Sequence, residues 1–247
     1  MRELALRQPS MECASVFRTL GQWHALHGQW KKAAECYAVL WHVNEFDSWE
    51  TTSFDLLLCA PTFIEAGDPR TYESFRQAAI LRYLHTTNAV VTERVVKDTL
   101  LVPASPQFLR TLRPMTDFAD RFFSIATDDN DAGLRASWAF ISLALMEYRC
   151  GAWSKSADYC RRSLACPVAH AARDATARVI LAMASCQMGQ SAEASAALGE
   201  GREVIQGEFT NVLDAGDGTR GFWFDWVFAR ILLREATVLM DGKAAKA

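Results

Sequence analysis

The segment from Gly216 to Gly221 has a spacing that is typical of phosphate binding. It reads G-D-G-T-R-G, matches the pattern G-x-G-x-x-G and leads into a predicted helix. Loops of this kind let backbone amides approach a phosphate at a helix N-terminus. A dinucleotide site also needs a preceding strand in a βαβ unit, which the sequence does not offer. We therefore interpret the segment as a flexible linker and predict no cofactor, with nucleotide binding as the alternative.

Histidine and cysteine side chains on the first two predicted helices could surround a metal ion. His24 and His27 lie three positions apart on one helix, and Cys36 and His42 lie on the next. These are residue types that bind zinc. However, His24 occupies a position that the repeat described below gives to a core aromatic residue, and His27 lies beside a turn. We predict no metal site.

The acidic run 128–131 also fails as an ion site. A calcium loop starting there would have Ala132 at its fifth position and Ala139 at its twelfth, and neither supplies a side-chain oxygen. The run is better explained as the N-cap of the next helix. No G-x-S-x-G, H-E-x-x-H or protein-kinase spacing is present either. We therefore predict that the chain is not an enzyme.

Composition narrows the partners and the compartment. The 247 residues are 50% hydrophobic and 22% charged, with a formal net charge of −3, which is too near neutral for nucleic-acid binding. The N-terminal residues 1–7 alternate apolar and charged side chains, and the longest apolar stretch, 138–146, is too short to cross a membrane. Seven cysteines without a C-x-x-C pair are typical of reduced, structural residues. We expect a cytoplasmic protein that binds neither nucleic acid nor membrane.

Four glycines recur at regular intervals and reveal the architecture. Gly28 and Gly67 are 39 positions apart, Gly151 and Gly189 are 38 apart, and the gap of 84 between the two pairs has room for two units. Recurrence in this range predicts an array of helical hairpins, in which each unit buries its apolar face against its neighbours. Such arrays bind or scaffold other molecules.

Helical periodicity and capping signals divide the array into five hairpins and a C-terminal helix. The expected helix pairs are 12–27 with 30–43, 51–66 with 69–84, 88–101 with 107–125, 133–150 with 153–165, and 170–188 with 191–205. Pro61 should kink or shorten its helix. In the first pair, Phe17, Leu20 and His24 share one face, and Gly21 and Ala33 should allow a close helix crossing.

The predicted domain organisation follows from these hairpins. An N-terminal arm (1–11) precedes the array (12–205), which is followed by a glycine-rich loop (206–221), a capping helix (222–240) and a polar tail (241–247). The capping helix should lie against the fifth hairpin and close the array, since no later repeat can cover its apolar face. On this helix Asp225, Arg234 and Glu235 are expected to stay in contact with water.

The first unit resembles the tetratricopeptide repeat. The residues that carry the resemblance are Phe17, Leu20-Gly21, His24, Gly28, Trp30, Ala33 and Tyr37. The fourth unit matches at Phe140, Leu143-Ala144, Gly151 and Trp153, the fifth at Leu181-Ala182, Gly189 and Ala194, the second keeps Gly67, and the third has no clear marker. The resemblance covers residues 12–205 and implies an all-α, right-handed superhelix that binds proteins or peptides.

A narrower resemblance concerns the start of the C-terminal helix. The run Trp223-Phe224-Asp225-Trp226, followed by Ala229-Arg230 and 232–236, is similar to the end of repeat arrays attached to serine/threonine kinases and WD-repeat proteins of planctomycete-type bacteria. This resemblance implies the regulatory array of a bacterial signalling protein. The alternative is an enzyme or ligand sensor that uses the Gly216–Gly221 loop or the Cys and His residues.

In the family, the first helix of each hairpin lines the inner surface, where extended peptides or helices bind. The resemblance places the following residues there as partner-binding candidates: Arg18, Gln22, Phe54, Leu57, Trp138, Ile141, Leu145, Tyr148, Met183 and Gln187. The alternative for the aliphatic members is ordinary packing between units. Arg18 and Gln22 imitate part of a clamp for a C-terminal carboxylate, but Leu57 and Pro61 hold the matching places in the next unit.

Overall fold

The computed structural model describes residues 2–44, 47–125, 130–210 and 212–244, and over these ranges the chain is an all-α array. Ten helices pair in chain order into five antiparallel hairpins, and one more helix follows them, which confirms the predicted fold class. The helices are α1 (Arg2–Leu26), α2 (Trp30–Val43), α3 (Trp49–Glu65), α4 (Pro69–Tyr83), α5 (Ala89–Thr99), α6 (Pro106–Phe123), α7 (Asn130–Arg149), α8 (Trp153–Leu164), α9 (Ala171–Gln187), α10 (Ser191–Glu208) and α11 (Trp223–Ala244). An antiparallel ribbon of β1 (Gly216–Asp217) and β2 (Gly221–Phe222) precedes α11.

A glycine in the left-handed conformation turns the chain inside four of the hairpins. Gly28, Gly67, Gly151 and Gly189 have φ angles of 67°, 72°, 77° and 77°. In each turn the amide after the glycine donates to a carbonyl near the end of the preceding helix, as Gln29 N does to His24 O at 2.9 Å. Glycine adopts this helix-ending conformation without the steric cost of a Cβ. The regularly spaced glycines therefore mark the hairpin turns.

The third hairpin turns without a glycine and relies on capping side chains. Asn88 Oδ1 accepts the amides of Val90 and Val91 at the start of α5. Ser105 caps α6 by accepting the amide of Phe108, and Pro106 occupies the first turn, where a missing N–H costs nothing. This explains why the 84-residue interval from Gly67 to Gly151 holds two units but has no glycine marker for the turn between them.

Several helices have bounds that differ from the predicted ones. Pro61 does not shorten α3, which continues through it to Glu65. The described part of the expected N-terminal arm continues α1, which begins at Arg2, and α11 runs to Ala244. The N-cap predicted in the acidic run 128–131 falls partly on residues outside the described ranges, which omit 126–129. The described part of α7 begins at Asn130.

The first hairpin has the close crossing that its small residues predict. A Cβ built on Gly21 would lie 2.4 Å from Cε1 of the Tyr37 ring, and Ala33 is completely buried. The face formed by Phe17, Leu20 and His24 is not the buried one, since Leu20 is 42% exposed. From Glu12 onward, the buried positions of α1 are instead Ala14, Gly21 and Ala25.

The C-terminal helix does more than cap the array. As predicted, α11 packs against α9 and α10 of the fifth hairpin, but it also packs along α3 of the second. Glu65 at the end of α3 pairs with Arg230 at 3.1 Å and with Arg234 at 2.8 Å, and Glu235 pairs with Arg149 of α7. Because α11 reaches both α3 and α9, the row of first helices curves around it.

Candidate binding pocket on the inner face

A pocket of about 300 Å³ opens between α3, α5, α7 and the start of α11. It lies on the inner face, by which we mean the side of the first helices that faces α11. Its volume is at the lower end of the roughly 300–1,000 Å³ of small-ligand sites, which suits one large side chain of a bound segment. Its aromatic lining residues are Trp49, Phe54, Phe123, Trp138, Phe222 and Phe224, and its charged ones are Glu50, Glu93, Arg94, Lys97, Arg135 and Asp225.

Aromatic contacts between α3 and the start of α11 hold one wall of the pocket in place. Phe222 stacks on Phe224 with ring centroids 5.4 Å apart, and Phe54 presents its edge to Phe224 at 5.3 Å. Arg94 of α5 lies over the Phe54 ring and donates to Ser53 Oγ at 2.8 Å. Each ring is fixed by its neighbours, so an entering side chain meets a preformed apolar surface.

The floor of the pocket carries a buried ion pair. Lys97 Nζ lies 3.4 Å from Glu93 Oε1, which also accepts a hydrogen bond from Ser142 Oγ at 2.9 Å. Lys97 Nζ is 4.6 Å from the Trp138 ring centroid. Burial alone would lower the pKa of Lys97, but the carboxylates of Glu93, Asp225 and Asp98 outweigh it and raise that pKa. Lys97 therefore stays charged and faces Trp138 as a cation against a π system.

Asp225 shows where the sequence-based expectation for α11 is wrong. We expected its side chain to be in water, but it is buried at the pocket and accepts the amide of Phe222 at 3.1 Å. Burial raises its pKa to about 6, while Lys97 and the Phe222 amide act in the opposite direction. Its function in the fold is to cap the first turn of α11. Of the other two residues, Arg234 is exposed and Glu235 is half-buried.

Asp98 is a buried carboxyl group behind the pocket. Neither carboxyl oxygen of Asp98 has a hydrogen-bond partner among the described residues, and Asp98 is completely buried. Burial raises its pKa to about 8, so the group is mainly protonated at neutral pH. The backbone carbonyl of Asp98 accepts the Tyr72 hydroxyl at 2.8 Å, which fixes α5 against α4.

His170 forms the edge of the pocket next to Trp138. Its ring meets the Trp138 ring edge-on at 5.1 Å, and its Nδ1 accepts the amide of Arg173 as the N-cap of α9. Burial, followed by the nearby Arg173 charge, lowers the pKa of His170. A neutral ring is what an acceptor at an N-cap requires. His170 is thus engaged in holding α9.

The ten inner-face candidates from the sequence fall into separate groups. Phe54, Leu57 and Trp138 line the pocket. Ile141, Leu145 and Met183 are completely buried in the core of the chain, so no partner reaches them while the array is closed. The remaining candidates, none of which lines the pocket, are Arg18, Gln22, Tyr148 and Gln187, all half-buried.

Arg18 is occupied by its own chain. Its Nε donates to Asp55 Oδ1 at 2.6 Å, its Nη2 donates to Asp47 at 3.0 Å, and the hydrogen bond to Asp55 raises the pKa of Arg18. Asn44 donates to the same Asp55 carboxylate at 2.8 Å. This network joins α1 to α3. A clamp for a foreign carboxylate would have to displace Asp55 from Arg18.

The Gly216–Gly221 segment is a hydrogen-bonded hairpin. Asp217 Oδ1 accepts the amides of Thr219 and Arg220, both at 2.8 Å, and these bonds lower its pKa to about 2. The two amides that would face a phosphate are thus bonded to a carboxylate. A Cβ on Gly221 would lie 2.5 Å from Ala172 Cβ, so the hairpin is packed against α9. The predicted flexible linker is wrong here, and Gly218 at the hairpin tip reaches the rim of the pocket.

The histidines on the first helix have local partners. His24 Nδ1 is 2.9 Å from Gln29 Oε1, and His27 Nδ1 is 2.7 Å from the Trp23 carbonyl. Within the described ranges, no three His, Cys, Asp or Glu side chains are grouped so as to hold a metal ion. The same ranges contain no helix with the length and apolar character needed to cross a membrane.

The sequence pointed to the pocket wall but missed its charged floor. The signal for it was present in α5, where Glu93 and Lys97 are four positions apart on a first helix whose inner face should be apolar. This unit has no glycine marker, so its inner positions could not be placed by the repeat register. Asp225 and His170 were missed because capping, not periodicity, places them.

No family model and no curated protein sequence matches this chain. Among solved structures, the crystal structure of MamA protein is similar at 12% sequence identity and a TM-score of 0.41, over 83% of this chain and 99% of that one. The fold given above rests on this chain's own helices and contacts.

Proposed function

We propose that this chain is a non-catalytic scaffold that binds a protein or peptide on its inner face. The pocket receives one large apolar side chain of the partner. The observation that carries this proposal is the preformed aromatic wall. In this wall, Phe54 and Trp138 remain half-buried and line a pocket of about 300 Å³. Exposed aromatic side chains in pockets are the usual anchors of protein recognition.

The bonding of the charged groups supports a binding function over a catalytic one. Glu93 is shared by Lys97 and Ser142, Asp225 caps α11 and His170 caps α9. A general acid or base must have a free lone pair or proton directed at the substrate. Each of these side chains uses one of its polar atoms to hold the helices that form the pocket.

The rim supplies the groups that a peptide backbone and its flanking side chains need. Trp49 is 53% exposed, and Glu50 in the first turn of α3 and Arg135 in the second turn of α7 are exposed charges. A negative and a positive group at one opening favour a segment that carries both charges beside its apolar side chain. The helix α11 packs along α3 and α9, and the opening lies between α3, α5, α7 and the start of α11.

Selection of peptides from a random library displayed on phage, against the immobilised full chain, tests the proposal. Affinities of the selected peptides are then measured for Trp138→Ala, Phe54→Ala and Trp49→Ala by isothermal titration calorimetry. We expect each substitution to weaken binding by about tenfold or more, which corresponds to roughly 1.4 kcal/mol. Trp49 is at the rim and exposed, so its substitution leaves the fold intact.

The matched control is Phe122→Ala. Phe122 is 56% exposed on α6 and does not line the pocket. Its substitution should leave peptide affinity unchanged. Peptides that bind the pocket variants and the wild type equally would show that the site lies elsewhere, and failure to select any binding peptide would contradict the proposal.

The narrower form of the proposal is that the chain is the regulatory array of a cytoplasmic bacterial signalling protein. It is supported by the resemblance of the Trp223–Trp226 run to arrays attached to kinases. The neighbouring reading frames and co-purification of a kinase from the native organism test it. A chain that co-purifies with no signalling protein would contradict it.

The pocket also favours a second candidate, which is a sensor of a small ligand. Its volume and its mixture of aromatic and charged side chains fit a small molecule. Thermal-shift screening with nucleotides and other metabolites tests this candidate. A ligand whose stabilising effect is lost in Trp138→Ala but kept in Phe122→Ala would support it over the peptide scaffold.

A further inference from the structure

A row of exposed side chains runs along the outer side of α1, away from α2. Val16, Leu20 and Trp23 are 61%, 42% and 48% exposed, and Cys13 and His27 at the two ends are also exposed. The successive spacings are three, four, three and four residues. This is the spacing of a narrow coiled-coil seam, whereas a helix that packs into a globular core has a wider apolar stripe. We call these five residues the α1 seam.

The α1 seam lacks exposed charge between Cys13 and Trp23, and the exposed Glu12 lies just outside this span. From Cys13 to Trp23, every exposed position of α1 carries an uncharged side chain: Cys13, Ser15, Val16, Thr19, Leu20 and Trp23. Arg18 is half-buried and bonded to Asp47 and Asp55 of its own chain. Two copies of this surface can therefore meet without like-charge repulsion. The span from Cys13 to Trp23 offers no exposed charge for an ion pair with a partner.

Two histidine rings fix the exposed side chain of Trp23 in place. The His27 ring lies 4.1 Å from the Trp23 ring and the His24 ring meets it edge-on at 5.0 Å. A rigid, exposed indole loses little conformational freedom when a partner covers it, which is the property of an interface anchor.

We infer that the α1 seam is an interface between two copies of this chain, in which the two α1 helices pack against each other. Identical seams have matching spacing, so the knobs of one helix find holes in the other. A two-fold contact also uses the same surface on both copies and closes the assembly at a dimer. The seam is short, so its buried area is below the roughly 1,200 Å² of standard interfaces, and the dimer should be weak and concentration-dependent. This inference is independent of the inner-face pocket.

Sedimentation equilibrium of the full chain over about a hundredfold range of concentration tests the inference. We expect a monomer–dimer equilibrium whose dissociation constant rises about tenfold or more in Leu20→Glu and in Trp23→Glu. Both side chains are exposed, so the melting temperature of dilute protein should not change. The control is Leu81→Glu on α4, where Leu81 is 81% exposed and outside the seam. It should dimerise like the wild type.

Disulfide cross-linking identifies which surfaces meet. Leu20→Cys is introduced in a Cys13→Ser, Cys150→Ser background, which removes two other exposed cysteines. We expect mild oxidation to give a covalent dimer for Leu20→Cys and none for Leu81→Cys. A monomer at every concentration, or a dimer unaffected by both glutamate variants, would overturn the inference. A dimer that Leu20→Glu dissociates but Leu20→Cys does not cross-link would mean that α1 meets a different surface, and would overturn the pairing of the two α1 helices.

Discussion

The ring of Trp223, at the start of α11, stacks on the ring of Tyr37 in the first hairpin, with centroids 6.4 Å apart and planes 6° apart. Both residues are almost completely buried. The contact joins the C-terminal helix to the opposite end of the array from the hairpin that precedes it in sequence. In a simple solenoid, stability is a sum of nearest-neighbour contacts. Here α11 adds contacts between distant units.

Trp223→Ala should therefore destabilise the whole array, by about 3–5 kcal/mol, since it leaves a large cavity between α11 and α2. Urea denaturation followed by circular dichroism measures the free energy of unfolding, and the helical signal should be lost in a single transition. Val238→Ala on the same helix is the control, because Val238 is 74% exposed and should change stability by less than about 0.5 kcal/mol. A local loss of helix near the C-terminus alone would mean that α11 is only an end cap.

Removal of α11 extends the same argument. A chain truncated before Gly221 exposes the buried faces of α3 and α9, and we expect it to aggregate or to lose several kcal/mol of stability, because each large side chain contributes roughly 1.5–3 kcal/mol on burial. Size-exclusion chromatography with light scattering measures the first outcome and urea denaturation the second. A monomeric truncated chain of unchanged stability would identify α11 as a docking element for a partner.

The first hairpin should not tolerate larger side chains at its crossing. Ala33→Leu and Gly21→Ala are each expected to destabilise the chain by about 1–3 kcal/mol, since the Gly21 position has the Tyr37 ring 2.4 Å from an added Cβ. Gly199→Ala is the matched control, because Gly199 lies inside α10 with no atom within 4 Å of an added Cβ. That substitution should be neutral or stabilise the helix by about 0.5–1 kcal/mol. An unchanged melting temperature for both crossing variants would show that this hairpin has room to adjust.

The turn glycines give a separate test of how the repeat spacing is encoded. Gly151→Ala forces a side chain into a φ of 77°, which should cost about 1–2 kcal/mol although no atom lies within 4 Å of the added Cβ. The cost comes from the backbone conformation and not from packing. Gly151→Asn should therefore recover part of the stability, because asparagine tolerates this conformation better. Chemical denaturation measures the free energy of unfolding of the two variants. Equal losses of stability in both would indicate that the cost comes from packing.

Much of the fold could be predicted from local signals. Gly28, Gly67, Gly151 and Gly189 marked four turns because a left-handed helix end restricts the residue type. The pairing of α11 with Tyr37 and Phe54 could not be predicted, because it depends on how far the row of first helices curves. That curvature is the sum of small rotations between units, and no single residue encodes it.

The candidate site was predictable where it uses apolar side chains at repeat positions, as at Phe54 and Trp138. The polar residues of the site could not be predicted. Asp225 was expected in water because it lies off the aromatic face of α11, but α11 lies inside the array, so even its first turn is buried. Burial depends on the curvature described above, and the pKa values of Asp225 and Asp98 depend on burial.

Asp98 gives the sharpest prediction about pH. Burial raises its pKa from an ordinary 3.8 to about 8, so the folded chain holds this proton more tightly than the unfolded chain does. Between about pH 4 and pH 8 the folded state binds more protons through Asp98, and stability contributed by this residue falls as pH rises through that window. Asp98→Asn keeps a neutral group of similar shape at every pH.

The variant Asp98→Asn should therefore be more stable than the wild type at pH 8, and the difference should shrink towards pH 4, where the wild-type carboxyl is protonated in the folded state and close to half protonated in the unfolded state. Free energies of unfolding from urea denaturation at several pH values measure this. The control is Asp241→Asn, since Asp241 is exposed on α11 and its substitution should change stability by less than about 0.5 kcal/mol. A gain that is the same at pH 4 and pH 8 would mean that the amide acts through new hydrogen bonds. A loss at pH 8 would mean that the Asp98 carboxylate is charged and stabilised by Lys97 in the folded chain.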